Sequence, residues 1–329
     1  MKTVYADQLR AGMELFDQPF LLLDVSERKT RDGRPYILFS LGDKTGKVGG
    51  VFWNVPSDVL QECPTGSVVL VTGDVRLYNK RPQVVALDLQ SFEPDSMACY
   101  VPSSQRDRDE MIDELRQVID ELREPLRQLV MDILLDPLFV RRYAEAPAAR
   151  LMHHACVGGL LEHSLAMVPF CRLASERYSA VDRDLLIAGA LLHDVGKVSA
   201  YRTEATFPVT DDSRLVGHLT RGAIQVETAA RKIPGFPDGL CRELVHMVVS
   251  SHRVPEWGSP VPPRTLEAVL LHQIDMLESR AQGYLDHVSS EPGDAPWTSP
   301  SAMFGYELKR TEQGRSKTRT APDPTSPDS

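Results

Sequence analysis

The segment Leu191-Leu192-His193-Asp194-Val195-Gly196-Lys197 ends an apolar run with a histidine and an aspartate side by side. Burying a carboxylate next to an imidazole is costly unless something compensates. A divalent cation would compensate both groups. Two more polar residues interrupt apolar helical patterns in the same way. Asp275 lies within Val269-Leu270-Leu271-His272-Gln273-Ile274-Asp275-Met276-Leu277, and His163 within Gly158-Gly159-Leu160-Leu161-Glu162-His163-Ser164-Leu165. Each alone has a plainer account: a surface histidine, a helix-terminal histidine beside an acid, an aspartate paired with an arginine. Together, with Gly196 and Lys197 directly after the pair, they point to a metal centre. All nine histidines fall between 153 and 287, so the chemistry is confined to one part of the chain.

A mixed histidine and aspartate set suits manganese, iron, nickel, cobalt or zinc rather than calcium, which takes oxygen ligands. His163, His193, Asp194 and Asp275 could hold one ion and leave positions open for water and substrate. His218, His246 and His252 could hold a second, and two ions would clamp the attacking and leaving oxygens of a phosphoryl transfer. In that chemistry a metal-activated hydroxide attacks phosphorus, and Lys197 stabilises charge on the phosphoryl oxygens. His193, Asp194 and Lys197 are thus the candidate catalytic residues. His153, His154 and His272 are left open between phosphate contact, support of a metal ligand and packing, with His153 and His154 the candidate phosphate contacts, and His287 is given no role.

The elements that must position these residues are of two kinds. From about 10 to 95 the chain reads as short β-rich runs: 20–25, 36–41, 48–53, 68–75 and 84–89. Turn signals separate them, such as Asp32-Gly33 and Asp43-Lys44-Thr45-Gly46. Five strands in under a hundred residues suggest a small barrel. Beyond 105 the spacing becomes helical, with Met111, Ile112, Leu115, Val118, Ile119 and Leu122 on one face. Asp182 or Asp184 caps the helix running to His193, and Thr265 caps the one bearing Asp275. The expected fold is a multi-domain α+β chain: a five-stranded barrel domain at 1–100, a helical linker at 101–150, an all-α domain at 151–290, and a largely disordered tail at 291–329. The tail expectation rests on its Ser, Pro, Thr, Gly and charge content, strongest from about 311. The linker has apolar surface enough to dock a second subunit, giving a homo-oligomer, or to pack on its own domain.

Composition narrows the partners. A formal net charge of −9 argues against binding nucleic acid through one broad basic surface. No apolar run reaches membrane-spanning length, and the start lacks the apolar stretch of a secretory signal. Five scattered cysteines without CxxC spacing read as reduced thiols, hence a cytoplasmic location.

At this point the pattern His163, His193-Asp194, Asp275 resembles the HD-domain superfamily of metal-dependent phosphohydrolases, an all-helical fold. The resemblance is narrower still. His153-His154-Ala155, Gly158 to His163, Leu192 to Lys197, Gly217-His218 and Trp257-Gly258-Ser259-Pro260 are similar to the bacterial 3′-5′ exoribonucleases of the YhaM type, over about residues 10–287. That family carries an OB fold before its HD domain. The resemblance implies release of nucleoside 5′-monophosphates from the 3′ end of RNA; single-stranded DNA is left open as a second substrate. It also implies one or two divalent ions, manganese first. One departure stands out: where the family has two adjacent histidines this chain has Ser251-His252, which puts a second ion in doubt.

An OB fold binds single strands on its second and third strands and the loops beside them. Here those positions hold Arg28, Lys29, Arg31, Arg34, Lys80 and Arg81, with Tyr36, Trp53 and Tyr78 as candidate stacking rings. The competing reading keeps the metal site but assigns it to small nucleotides or cyclic dinucleotides, with the barrel regulatory.

Overall fold

In a computed structural model, residues 2–310 are described except 31, 54, 57, 58, 79, 80, 96, 102, 105, 150–153, 203–206, 291–294 and 302. Arg31, Lys80, His153 and the tail from 311 therefore lie outside the described residues. Strands β1 (Glu14–Lys29), β2 (Pro35–Asp43), β3 (Gly46–Trp53), β4 (Val68–Tyr78) and β5 (Arg81–Phe92) close a barrel in the order β1-β2-β3-β5-β4. β3 and β5 pair in parallel and the remaining pairs are antiparallel. Alternation decides what fills it. Ile37, Phe39 and Leu41 of β2 point inward with Phe52, Val71, Val75 and Val84, so Tyr36, Leu38 and Ser40 point out. A short helix α1 (Val59–Glu62) adds Val59 to this core.

The helical part comprises α2 (Arg108–Asp120), α3 (Leu126–Leu134), α4 (Pro137–Tyr143), α5 (Gly159–Arg177), α6 (Arg183–Leu192), α7 (Asp211–Leu215), α8 (His218–Ala230), α9 (Asp238–Ser250) and α10 (Leu266–Ser290). Local signals start them. Asp107 accepts the amides of Asp109 and Glu110, Asp136 those of Leu138 and Phe139, and Asp182 that of Leu185. Thr265 accepts the amide of Ala268 at 3.2 Å. Of the two candidate caps for α6, Asp182 does the capping, while Asp184 accepts the Arg123 amide at 3.0 Å.

The segment expected as a linker is not a separate unit. Leu115, Ile119, Leu126, Leu129 and Ile133 lie in one apolar cluster with Leu160, Leu165, Leu186, Leu191, Val248 and Leu271. Truncating any of these leucines or isoleucines to alanine opens a cavity costing about 2–5 kcal/mol, so α2 and α3 are part of the domain core. A third cluster joins the two domains: Leu21 and Val68 of the barrel meet Tyr100, Val101 and Phe207.

The tail, expected to be largely disordered from 291, contains order in its described part. β6 (Trp297–Pro300) and β7 (Glu307–Lys309) form a hairpin held to α10. His287 Nε2 lies 3.0 Å from the Ser299 carbonyl, and Arg310 Nη1 donates to the Val288 carbonyl at 2.8 Å. The bond from this buried arginine to a carbonyl at the end of α10 ties the hairpin to the helix where composition signalled only polarity. No helix among the described residues is long and apolar enough to cross a membrane. The five cysteines are free thiols.

Candidate metal centre

Six side chains converge, each from a different element or the turn beside it. His163 comes from α5; His193 ends α6; Asp194 opens a 3-10 turn at Val195–Ser199; His218 begins α8; His252 follows α9; Asp275 lies in α10. Gly217, at φ +81°, supplies the left-handed residue that turns the chain into α8 at His218. Asp194 is the hub. Its Oδ2 lies 2.6 Å from Lys197 Nζ and 3.2 Å from His193 Nε2. Its Oδ1 lies 3.6 Å from His218 Nε2 and 3.8 Å from His252 Nε2. Asp275 reaches His163 Nε2 at 3.3 Å and His252 Nδ1 at 3.7 Å. The Nε2 atoms of His218 and His252 are 3.0 Å apart.

The ring orientations are set from behind. His193 Nδ1 donates to the Ala190 carbonyl at 2.9 Å, so in the neutral imidazole Nε2 is the lone-pair nitrogen facing Asp194. His163 Nδ1 bonds Glu278 Oε2 at 2.5 Å. The turn bearing His252 is pinned twice: His272 Nδ1 donates to the Ser251 carbonyl at 2.7 Å, and the His252 amide donates to Ser259 Oγ at 3.1 Å. His272, left open by sequence, thus supports the turn that carries His252.

The donor set fits a divalent cation. His193 Nε2 and Asp194 Oδ1 are buried and make no hydrogen bond among the described residues. Buried polar atoms are ordinarily satisfied, and a lone-pair nitrogen facing a carboxylate oxygen is what a cation would join. Ligand atoms of His163, His193 and Asp194, and of Asp194, His218 and His252, each lie close enough to share an ion.

Electrostatics keep the carboxylates of Asp194 and Asp275 charged; burial would lower His163, but Asp275 and Glu278 outweigh it and raise it to about 9, so a bound cation would take the place of its Nε2 proton. Burial would raise the carboxyl of Asp194, but Lys197 and His193 outweigh it and hold it well below the usual carboxylate range. Asp275 is likewise depressed, by His163 and His252 against burial. Burial, with Lys197, His252 and His193 adding to it, drives His218 down to about 3, so its ring is neutral and able to ligate. Burial also opposes charge on Lys197, yet Asp194 keeps the ammonium and raises its pKa.

Two expectations need correction. His246 is not in the cluster: its Nε2 accepts the backbone amide of Arg264 at 2.9 Å. It sits a turn and a half before His252 on α9, and the helix aims it at the loop before α10. His154 is no phosphate contact. It is buried, with Nε2 2.8 Å from Glu278 Oε1 and Nδ1 3.4 Å from Glu162 Oε2, so both ring nitrogens already face carboxylates. Glu278 was missed altogether. Its signal was its place three residues after Asp275, on the same face of α10.

On the barrel, cross-strand register aligns Arg28, Tyr36 and Trp53 in one row over β1, β2 and β3. The rings of Tyr36 and Trp53 stack at 4.7 Å, and Trp53 is half exposed. Lys29 is exposed beside them, and Arg34 pairs with Asp32 at 2.7 Å. Tyr78 and Arg81 line a cleft with Gly49, Pro82 and Gln83. The predicted basic and aromatic residues within the described chain thus lie on or beside the outer face of these strands and the β4–β5 hairpin.

Comparison with known proteins agrees with both halves. The HD domain family matches residues 160–280, and the OB-fold nucleic acid binding domain family matches residues 24–92. The 3′-5′ exoribonuclease YhaM of Bacillus subtilis is 30% identical over 274 residues, 81% of this chain and 85% of that one. The protein of the same name from Listeria welshimeri is 31% identical over 79% of this chain and 84% of its own. That from Bacillus pumilus is 29% identical over 85% and 90%. With the barrel, the histidine and aspartate centre and these relatives in agreement, the chain belongs to the family of the YhaM exoribonucleases and is an HD-domain hydrolase of phosphodiester bonds.

Proposed function

We propose that this protein is a metal-dependent exonuclease that shortens single-stranded RNA from its 3′ end and releases nucleoside 5′-monophosphates. The observation that carries this reading is the pairing, in one chain, of a metal-type His/Asp centre with a barrel face bearing stacked rings in a basic row. His163, His193, Asp194 and Asp275 would hold one divalent ion, with His218 and His252 available to a second; manganese is the ion proposed. When bound, such an ion makes water a nucleophile at neutral pH and offsets charge on the phosphoryl oxygens.

The chain's own groups supply the rest. Lys197 holds a positive charge beside Asp194 at 2.6 Å, where charge develops on phosphorus-bound oxygens. Tyr36, Trp53 and Arg28 hold the single strand by stacking and phosphate pairing, which tolerates any base. Neither contact reads the 2′-hydroxyl, so single-stranded DNA is proposed as a second substrate. An extended aromatic face suits an oligomer better than a free nucleotide, which favours this reading over a small-nucleotide phosphodiesterase.

The test is a time course on 5′-labelled single-stranded RNA with Mn²⁺, beside Asp194→Ala and beside a cyclic dinucleotide. A ladder shortening from the 3′ end, absent in the variant, is expected. Intact RNA with a rapidly hydrolysed cyclic dinucleotide would move the function to the small-nucleotide class.

A further inference from the structure

One carboxylate in the core of the helical domain serves two histidines. Glu278, one turn beyond Asp275 on α10, places Oε2 2.5 Å from His163 Nδ1 and Oε1 2.8 Å from His154 Nε2. All three residues are buried. A carboxylate only accepts hydrogen bonds, so each imidazole presents an N–H to it. For His163 this holds a proton on Nδ1 and turns Nε2, the nitrogen free to ligate once it gives up its own proton, toward Asp275, 3.3 Å away.

His154 is built to stay where it is. Its backbone is left-handed at φ +47°, a conformation costly for a residue with a side chain. Its amide donates to Asp286 Oδ2 at 3.2 Å, and its carbonyl accepts the amide of Ala148 at 3.2 Å. A Cβ on Gly159 would lie 2.1 Å from that carbonyl oxygen, so only glycine lets α5 approach this closely. The other ring nitrogen of His154 faces Glu162 at 3.4 Å. α10 therefore grips residue 154 at two points, Glu278 and Asp286, and α5 closes on it at Gly159. A surface histidine needs no such arrangement.

We propose that Glu278, braced by His154, is a positioning residue that fixes His163 in its Nδ1–H form and aims Nε2 at a divalent cation in the centre. This rests on reading the centre as a metal site. A brace of this kind orients the ligand ring and raises its basicity, and losing one typically weakens metal binding about 10- to 100-fold. Glu278→Ala removes both contacts. Glu278→Gln keeps a carbonyl oxygen that can accept from His163 Nδ1–H, so it recovers most of the affinity.

The experiment is calorimetric titration of Mn²⁺ into full-length wild type, Glu278→Ala and Glu278→Gln. Nitrogen-15 spectra of histidine-labelled wild type loaded with Zn²⁺ are recorded alongside. Expected are a 10- to 100-fold weaker Mn²⁺ affinity for the alanine variant, recovery in the glutamine variant, and a His163 ring protonated on Nδ1. Wild-type affinity in Glu278→Ala, or a His163 ring protonated on Nε2 in the loaded wild type, overturns the proposal. The spectra use unaltered protein and decide the matter even if the alanine variant does not fold. A wild type that binds neither ion would instead overturn the reading of the centre itself.

Discussion

Gly196 and His218 meet backbone to backbone. A Cβ on Gly196 would lie 2.0 Å from the His218 carbonyl oxygen and 2.7 Å from the amide nitrogen of Gly222. The 3-10 turn that carries Asp194 and Lys197 is thus seated on the first turn of α8, and the seat fixes the separation of Asp194 from His218. Gly196→Ala cannot be absorbed by a flexible side chain, because the obstacles are main-chain atoms. It is expected to displace α8, to cost about 1–3 kcal/mol of stability as overpacking does, and to weaken metal binding about tenfold or more. Thermal unfolding of metal-free protein and a Mn²⁺ titration read the two effects. Wild-type metal affinity in this variant would mean that the contact does not set the position of His218.

The parts of this site legible in the sequence were those where a polar residue breaks an apolar run: His163, His193-Asp194 and Asp275 each sit where a core residue belongs. Glu278 gave no such signal. In Leu277-Glu278-Ser279-Arg280 it reads as the solvated face of a helix, and it is buried against His163 of α5 and His154, both far off in sequence. His246 failed for the opposite reason. A histidine near His252 looked available, but α9 turns it toward Arg264. In the barrel, the sequence pattern marks only 20–25 of β1, which spans Glu14–Lys29. Pro19 and the register shifts between Leu15 and Gln18 and between Leu22 and Asp24 break the alternation that marks a long strand.

Lys197 separates metal binding from turnover. Its ammonium is buried and lies 2.6 Å from Asp194 Oδ2, so in the metal-free protein it is the principal cation compensating that carboxylate. Lys197→Met is expected to destabilise the metal-free protein, since a buried carboxylate loses its partner. It leaves Asp194 free for a metal ion, so Mn²⁺ affinity holds or rises and restores stability. Turnover falls about 10²- to 10³-fold, as when a donor to a developing oxyanion is removed. Equal losses in metal affinity and in turnover would show that Lys197 acts only by organising Asp194.

The histidines sort by geometry rather than by number. His252→Ala removes contacts to Asp194, Asp275 and His218 together and is expected to lower metal affinity. His246→Ala removes only an acceptor for the Arg264 amide, on a partly exposed turn, and costs at most about 0.5–1.5 kcal/mol of stability. Its Mn²⁺ affinity should equal that of wild type. A loss in His246→Ala as large as in His252→Ala would return His246 to the ligand set.

Asp182 links pH to the helix that ends at His193. The hydrogen bond from Arg123 is the main cause of its depressed carboxyl, with burial opposing and the Leu185 amide assisting. A depressed carboxylate contributes its stability above the unfolded value of about 3.8–3.9 and loses it as pH falls through the folded value. Asparagine caps a helix as well as aspartate does, so Asp182→Asn isolates the charge. Because the side chain is partly exposed, solvent screens the pair and the difference is about 1 kcal/mol or less. Urea midpoints should favour wild type at pH 7 and converge with those of Asp182→Asn as the pH falls through the folded value of the carboxyl. A gap that persisted in acid would assign the effect to shape rather than charge.

Trp53 tests the barrel's share in substrate binding. It stacks on Tyr36 at 4.7 Å, Tyr36 pairs across the strands with Arg28, and the indole remains half exposed where an apolar ring would otherwise be covered. Such a ring is positioned to receive a base, and base stacking is worth about 1–3 kcal/mol. Trp53→Ala is therefore expected to raise KM for a single-stranded oligonucleotide about fivefold to a hundredfold while kcat holds, because the altered contact is equally present in ground and transition states. Arg28→Ala should add a shallower salt dependence, since it removes a phosphate partner and not a ring. A fall in kcat with KM unchanged would mean that the barrel acts on the HD centre through the shared cluster of Leu21, Val68, Tyr100 and Phe207 rather than by holding the strand.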